Sequence, residues 1–243
     1  MKIIILSAGI GSRLRPLTEN VPKSLLKIDE NKSVLERTIE NIREITNDEI
    51  VVITGYCREK METVVSKYDN CTTICNPFYR ITNSISSLWF AKEKLNDDVI
   101  ILNADVVLEK KLFKYLFELK NKACVLYDSS IGDGADYKVS QKNGEVVIMS
   151  KELNSYSGEY VGATKLSKEN AIKLVDKIET MIKNELFNEW YETALVDMVF
   201  TEGFKLDAVD VNNYAWTEID NVNDLMKAKD IFYCENVLGQ KHD

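Results

Sequence analysis

Histidine is almost absent from this sequence, because the 243 residues contain only His242, beside the C-terminus. Chain termini are usually poorly ordered, which makes His242 a poor candidate for a catalytic or metal-ligating residue. Ser-His-Asp and Cys-His hydrolases, histidine-ligated zinc sites and histidine phosphotransfer enzymes all need a histidine held inside a site. The sequence therefore argues against these classes of protein.

Long apolar runs and an excess of basic residues are also missing. The N-terminal stretch MKIIIL is far shorter than the ~20 apolar residues that span a bilayer, and its flanks do not fit a signal peptide. The formal net charge is −8, whereas binding nucleic acid through its phosphates requires a basic face. We therefore expect a cytoplasmic protein with small-molecule partners, no nucleic-acid binding and no membrane insertion, and a homodimer is compatible with the sequence.

Strand and helix patterns alternate through the first half of the chain. Residues 2–7 form an apolar run, and helical apolar spacing follows over residues 33–46. The alternation continues with a strand at 50–54, a helix at 58–68, a strand at 72–75, a helix at 84–95 and a strand at 98–102. This alternation is typical of a mostly parallel sheet with helices on both faces. We predict the α/β class with a Rossmann-like central sheet.

From residue 123 the pattern changes to short strands, at 123–127, 138–141 and 146–149, with Lys142-Asn143-Gly144-Glu145 as a turn between the last two. Helices are predicted at about 168–186 and 189–200, a strand at about 205–211 and a final helix after Asp220. No linker or repeat divides the chain. We predict one domain over residues 1–243, in which about 123–243 add a substrate-binding lobe to the sheet begun by about 1–122.

A glycine-rich loop follows the first predicted strand. Residues 6–18 are LSAGIGSRLRPLT, and PKSLL follows at 22–26. Gly9 and Gly11 allow the backbone to approach a polyphosphate, whose oxygens accept hydrogen bonds from successive N–H groups. Arg13 and Lys23 are spaced so that one loop holds a triphosphate from two sides. A Walker loop does not fit, since it needs Gly-Lys-Ser/Thr, and the dinucleotide fingerprint does not fit, since residue 14 is Leu. The alternative is an ordinary glycine turn with surface cations.

Asp105 and Asp220 each come just after a strand-like segment. Ligands of open α/β sheets bind at the carboxyl ends of the strands, so both side chains are expected at one site. Carboxylate oxygens are ligands that Mg²⁺ prefers, and Mg²⁺ commonly bridges the phosphates of a substrate. We predict a Mg²⁺ site formed by Asp105 and Asp220. The alternative for each residue is a helix N-cap.

The pattern Gly-x-Gly-x-Arg-Leu-x-Pro-Leu-Thr followed by Pro-Lys resembles the signature of the nucleotidyltransferase superfamily, which includes sugar-1-phosphate nucleotidylyltransferases. The resemblance implies that Arg13 and Lys23 are catalytic residues that bind the triphosphate and stabilise the charge that develops as pyrophosphate leaves. It also implies that Ala8 and Gly9 present backbone groups to the base. The nucleotide contacts implied by the resemblance are Leu6, Ala8, Gly9, Gly11, Ser12, Arg13, Lys23, Asn83, Ser87 and Asp105.

Later segments resemble the small cytidylyltransferases, a group with choline-phosphate and related alcohol-phosphate enzymes. Residues 103–105 and 216–220 resemble their metal-binding motifs, and residues 83–88 resemble their segment near the nucleotide. Residues 136–139 and 150–153 resemble their paired lysine strands, and residues 159–162 the strand that closes the acceptor site. The resemblance implies that Asp105 and Asp220 are catalytic metal ligands. The acceptor contacts it suggests are Lys138, Lys151, Tyr191, Glu192, Trp216 and Glu218.

The expected function is Mg²⁺-dependent transfer of CMP from CTP to a phosphorylated small alcohol or amine resembling phosphocholine, with release of pyrophosphate. A quaternary ammonium acceptor calls for aromatic faces and a carboxylate, for which the candidates are Trp190, Tyr191, Glu192, Trp216 and Glu218 unless they serve ordinary packing. Two alternatives stay open. One is a sugar-1-phosphate nucleotidyltransferase that uses UTP or dTTP, and the other is a non-catalytic nucleotide-binding module.

Overall fold

The computed structural model describes residues 1–132 and 134–238, so His242 lies outside the described residues. Its strands are β1 (Lys2–Ser7), β2 (Glu49–Thr54), β3 (Cys71–Cys75), β4 (Val99–Asn103), β5 (Val106–Leu108), β6 (Ala123–Asp128), β7 (Lys138–Lys142), β8 (Glu145–Ser150), β9 (Gly158–Leu166), β10 (Asp207–Asp210) and β11 (Trp216–Glu218). Its helices are α1 (Val34–Arg43), α2 (Arg58–Val65), α3 (Ser84–Phe90), α4 (Lys110–Glu118), α5 (Lys168–Lys183), α6 (Tyr191–Glu202) and α7 (Val222–Leu238). None of the helices in these two ranges combines the length and apolar character needed to cross a bilayer.

In the described part of the chain, nine strands form one central sheet in the order β3-β2-β1-β4-β9-β6-β10-β8-β7. The strands β3, β2, β1 and β4 are parallel, as helical crossovers between successive strands require. β9 then runs antiparallel to both of its neighbours, β4 and β6. The α/β class and the central sheet are therefore confirmed, and the sheet is mixed, with its parallel part in the first half of the chain. Strands from both halves of the sequence belong to this sheet.

Helices cover both faces of the sheet, as predicted. Ile4 of β1 packs on one face with residues of α3, α5 and α6. Ile3 and Ile5 point to the opposite face and pack with residues of α1, α2 and α4. All three isoleucines are fully buried, which is why the strand is a continuous apolar run rather than an alternating one.

Several elements of the structure differ from the predicted ones. The helix predicted over 84–95 ends at Phe90 and continues as a separate 3₁₀ turn at Lys92–Lys94, so the last residues are wound more tightly than an α-helix. The strand β5 was not predicted, and the region of β11 was indicated only as a strand-like segment before Asp220, because three residues each are too few to show a periodicity. β9 extends well beyond the four residues that the sequence indicated.

Candidate functional site

The glycine loop leaves β1 at the carboxyl edge of the sheet, between β2 and β4. Gly11 adopts a φ of 66°, a left-handed conformation that favours glycine. Its carbonyl accepts a hydrogen bond from Thr18 Oγ1 at 2.7 Å, which closes the loop. The hydroxyl groups of Ser7 and Ser24 lie 2.7 Å apart. This contact brings the neighbouring Lys23 against the loop, as the spacing predicted.

Pairing of β5 with β11 assembles a cluster of carboxylates. The two strands are antiparallel, with Glu218 opposite Val106, and the Ile219 N–H donates to the carbonyl of Asp105 at 2.9 Å. One carboxylate oxygen from each of Asp105, Glu218 and Asp220 lies within 4.8 Å of the others. Asp105 and Asp220 therefore meet, and Glu218, which was expected to contact the acceptor, is a third member of this carboxylate cluster.

The helix-cap alternatives for the two aspartates are not supported. Asp105 precedes strand β5 rather than a helix. At the start of α7, the side chain of Asn221 accepts from the N–H groups of Asn223 and Asp224, at 2.8 and 3.2 Å. The carboxylate of Asp224 accepts from the Asp220 N–H at 3.0 Å. The Asp220 carboxylate is thus left to the cluster.

Two cations are bonded to the carboxylate cluster. Lys23 Nζ lies 2.9 Å from Asp105 Oδ2 and 2.6 Å from Asp220 Oδ1, and Arg13 Nη1 lies 2.5 Å from Asp220 Oδ2. Burial lowers the pKa of Lys23, but its pairing with Asp105 and Asp220 outweighs burial, so the pKa is raised above its ordinary value. Burial, together with the charges of Asp105 and Asp220, raises the pKa of Glu218 to about 8. The site therefore contains cations that can pair with a polyphosphate and carboxylates that can bind a metal cation.

A cavity of about 270 Å³, which we call the substrate cavity, contains Asp105 and Glu218 in its wall. A neighbouring cavity of about 320 Å³ is lined by Arg13, Lys23 and the glycine loop. Every residue predicted to contact the nucleotide lines one of the two cavities. These residues are Leu6, Ala8, Gly9, Gly11, Ser12, Arg13, Lys23, Asn83, Ser87 and Asp105.

Sequence reasoning missed Asn76, which also lines the substrate cavity. Its buried side-chain amide donates to Ser87 Oγ and to Thr82 Oγ1, each at 3.1 Å. Its Oδ1 accepts from the Phe78 N–H at 2.9 Å. Asn76 therefore fixes the orientation of Ser87. The only sequence signal was the Asn76-Pro77 pair, which indicated the end of a strand and nothing about a ligand.

The part of the substrate cavity formed by the second half of the chain is aromatic and acidic. We call it the acceptor cluster, and its members are Asp136, Tyr137, Lys151, Tyr160, Trp190 and Glu192. Lys151 Nζ lies 2.9 and 2.7 Å from the two carboxylate oxygens of Asp136 and 4.6 Å from the ring centroid of Trp190. Burial raises the pKa of Glu192 to about 8. Of the predicted acceptor contacts, Lys151, Glu192 and Glu218 reach this cavity.

The other three predicted acceptor contacts line neither of the two cavities. Lys138 Nζ donates to the carbonyls of Lys151 and Leu153, each at 3.1 Å. Tyr191 is fully buried in the core, and its hydroxyl lies 2.6 Å from that of Tyr160. Trp216 Nε1 donates to Asp128 Oδ2 at 2.8 Å. Each of these polar groups has a hydrogen-bond partner within the protein.

This arrangement on a Rossmann-like sheet is that of a nucleotidyltransferase, and comparison with known proteins agrees. Residues 2–151 match the family model described as Nucleotidyl transferase, and the chain belongs to that family of enzymes. The chain is 29% identical to a choline-phosphate cytidylyltransferase of Streptococcus pneumoniae, over 97% of this chain and 100% of the relative. It is 27% identical to the CTP:phosphoglutamine cytidylyltransferase of Campylobacter jejuni, over 93% of this chain and 98% of the relative.

Solved structures give the same result for the fold. A CTP:phosphocholine cytidylyltransferase from Streptococcus pneumoniae matches with a TM-score of 0.80 at 26% identity, over 95% of this chain and 98% of that one. The inositol-1-phosphate CTP transferase from T. maritima matches with a TM-score of 0.78 at 19% identity, over 97% of each chain. At that lower identity the likeness concerns the fold alone.

Proposed function

We propose that this chain catalyses the Mg²⁺-dependent transfer of CMP from CTP to the phosphate group of a small alcohol or amine resembling phosphocholine. Pyrophosphate is released, and the reaction takes place in the cytoplasm. The observation that carries the proposal is that one cavity joins the glycine loop and Arg13 to the carboxylates Asp105 and Glu218 and to the acceptor cluster. The names of the relatives support it, since they pair CTP or a cytidylyl group with phosphorylated acceptors.

The reaction is an in-line displacement at the α-phosphorus of CTP. An oxygen of the acceptor phosphate forms a bond to this phosphorus, while the bond between phosphorus and the bridging oxygen of pyrophosphate breaks. The acceptor phosphate is already ionised, so no protein nucleophile or strong general base is needed. Arg13 and Lys23 neutralise the charge that accumulates on the leaving pyrophosphate. Catalysis is therefore positioning plus charge neutralisation.

The carboxylate cluster fits a magnesium ion. Asp105, Glu218 and Asp220 offer oxygen donors within 4.8 Å of one another, and oxygen donors are the ligands that Mg²⁺ takes. Asp105 and Asp220 would be its principal ligands, with Glu218 beside them. When bound there, Mg²⁺ supplies neutralisation of phosphate charge. Lys23 and Arg13, which are paired with these carboxylates, would then turn to the triphosphate.

Recognition of the cytosine base would come from the backbone near Ala8 and from the side chains of Asn83 and Ser87. Asn83 lines the substrate cavity, and because its Oδ1 accepts from the Ser84 N–H at 2.9 Å, its side-chain N–H groups would donate to the O2 or N3 acceptor of the base. Ser87 is held by Asn76 at 3.1 Å. The exocyclic amine of cytosine needs an acceptor such as a backbone carbonyl near Ala8, and a site that supplies this acceptor rejects a carbonyl at the same position, because groups are left unpaired. CTP is therefore expected to be preferred to UTP.

The acceptor cluster suits a substrate that carries both a phosphate and a cation. The ring faces of Trp190 and the neighbouring tyrosines provide attraction for an ammonium group. Glu192 is buried, with 6% of its surface exposed, and a buried carboxyl that lines a cavity is stabilised in its charged form by a cation placed beside it. Lys151 supplies a positive charge for the acceptor phosphate.

A substrate matrix tests the proposal directly. CTP, UTP, dTTP and ATP are each combined with phosphocholine, phosphoethanolamine and glucose 1-phosphate, and pyrophosphate release is measured with Mg²⁺ and with a chelator. We expect the highest kcat/KM for CTP with phosphocholine, and no turnover after chelation. A preference for UTP or dTTP with glucose 1-phosphate would favour the sugar-nucleotide alternative. Nucleotide binding without turnover for any acceptor would favour a non-catalytic module.

A further inference from the structure

The ammonium group of Lys151 has partners that are unusual for a surface lysine. Its Nζ lies 2.9 and 2.7 Å from the two oxygens of Asp136. It also lies 4.6 Å from the centroid of the Trp190 ring. The side chains of Lys151 and Asp136 keep 34% and 39% of their exposure, and all three residues line the substrate cavity. The ion pair can therefore be reached by a ligand in the cavity.

These partners are those that an ammonium ion from outside the protein would require. A cation is attracted to an aromatic face when it lies within about 6 Å of the ring centroid. Asp136 adds a carboxylate at hydrogen-bond distance from the same position. The ring of Tyr137 meets that of Trp190 edge-on, with centroids 5.4 Å apart, and this contact holds the indole in place. Lys151 thus occupies a position built for a cation.

We propose that Lys151 is an internal placeholder, which the ammonium group of the acceptor displaces from Trp190 and Asp136. The inference rests on the proposed function, and it identifies the acceptor class as a phosphate monoester that also carries an ammonium group. Displacement frees the Lys151 ammonium group for the acceptor phosphate, which enters the same cavity. The acceptor cation compensates the charge of Asp136, while Lys151 offsets part of the charge of the phosphate.

The exchange also explains how an acceptor without an ammonium group would be rejected. A sugar phosphate brings no cation to Asp136. If Lys151 moved to the sugar phosphate, the Asp136 carboxylate would be left without its ion-pair partner. If Lys151 stayed, the phosphate would lack a positive charge on this side of the cavity. Either arrangement leaves one charge uncompensated, which is costly in a partly desolvated site.

Choline tests the exchange, because it carries the ammonium group without the phosphate. Lys151→Met keeps an unbranched side chain and removes the charge, so choline no longer has to displace a cation. We expect calorimetry to give a Kd for choline that is about 3-fold to 30-fold lower than for the wild type, the range of one cation–π contact. The kcat/KM for phosphocholine should fall in the same variant, because the phosphate loses its partner. Opposite changes in the two measurements are specific to a placeholder.

Lys142→Met is the matched control, since it removes one positive charge from an exposed position at the end of β7. Its Kd for choline should equal that of the wild type. Adding Trp190→Leu to Lys151→Met should abolish the gain in choline affinity. Should Lys151→Met fail to fold by circular dichroism, Lys151→Gln provides the same comparison.

Different results would overturn the placeholder role of Lys151 and the proposed function. Choline binding to Lys151→Met that is no tighter than to the wild type overturns the placeholder, provided that phosphocholine is a good substrate of the wild type. If the wild type instead uses glucose 1-phosphate and not phosphocholine, the proposed function is overturned, and the placeholder with it.

Discussion

The Lys23 ammonium group lies 2.6 Å from Asp220 Oδ1, across a separation of 197 residues in the sequence. The same group lies 2.9 Å from Asp105 Oδ2. This lysine therefore joins the carboxylate just before β5 to the carboxylate just after β11, and it offsets the repulsion between them. A substitution at any member of this cluster changes the charge balance of the others, and kinetic measurements should detect the change.

Asp105→Asn should lower turnover by about 10²-fold or more, the scale of losing a metal ligand worth several kcal/mol. The fold should persist, because Asp105 lies at the surface of a cavity and the backbone bond between its carbonyl and Ile219 is kept. Pyrophosphate release at limiting Mg²⁺ is the measurement. Asp176→Asn, at an exposed position of α5, is the matched control. A folded Asp105→Asn protein with near-normal turnover would remove Asp105 from the metal site.

Arg13→Lys should lower kcat by about 10-fold to 10³-fold, with a smaller change in the KM for CTP, because lysine keeps the charge but loses the planar fork. Arg13 is the more exposed of the two loop cations, with 59% of its side chain exposed, so the substitution should leave stability unchanged. Steady-state kinetics with varied CTP provides the test. Arg58→Lys on α2 controls for the loss of a guanidinium group. An equal loss in affinity and in turnover would assign Arg13 to binding alone.

Stability should fall as the pH rises through the titration of Glu192. Its pKa is raised from 4.5 to about 8 by burial, so between these values the folded protein holds a proton that the unfolded chain releases. The free energy of unfolding therefore decreases with rising pH over this interval. Glu192→Gln removes this contribution, so its Tm relative to the wild type should rise from pH 5 to pH 8. Parallel profiles of Tm against pH for the two proteins would contradict the raised pKa of Glu192.

The acceptor should reverse part of this pH effect. A cation bound beside Glu192 favours the carboxylate form, so the Tm increase produced by saturating phosphocholine should grow between pH 5 and pH 8. The growth should be smaller in Glu192→Gln, where the phosphate of the acceptor still titrates in this interval but residue 192 does not. An equal growth in the two proteins would show that the bound cation does not contact Glu192.

Trp216 and Trp190 should respond differently to substitution. Trp216→Phe removes the N–H that donates to Asp128 at 2.8 Å, at a cost of about 1–3 kcal/mol for a bond to a charged acceptor. Trp190→Leu should instead raise the KM for phosphocholine by about 5-fold to 30-fold, with little change in CTP affinity. Thermal denaturation and acceptor titration of both variants separate the two roles. An acceptor KM that changes with Trp216 and not with Trp190 would reverse the assignment.

The sequence was sufficient to predict features whose residues are close together along the chain. The glycine loop could be predicted because a buried strand, two glycines and Arg13 follow one another at fixed spacing. The parallel half of the sheet could be predicted because its strands are separated by amphipathic helices. Prediction was weakest for three-residue strands and for β9, whose position between β4 and β6 depends on pairing with distant residues.

The sequence by itself determined which side chains this chain contains and where they stand along it: a glycine loop followed by two cations, two aspartates after strand-like segments, and aromatic residues with carboxylates in the second half. Only the tertiary structure decided which of these side chains face the cavity. Glu218 joins Asp105 because β5 pairs with β11, a contact that no local pattern records. Tyr191 and Glu192 are adjacent, yet the rotation of α6 turns the tyrosine into the core and the glutamate into the cavity. Neighbouring residues of a helix point about 100° apart, so packing against the sheet selects one of them for the site.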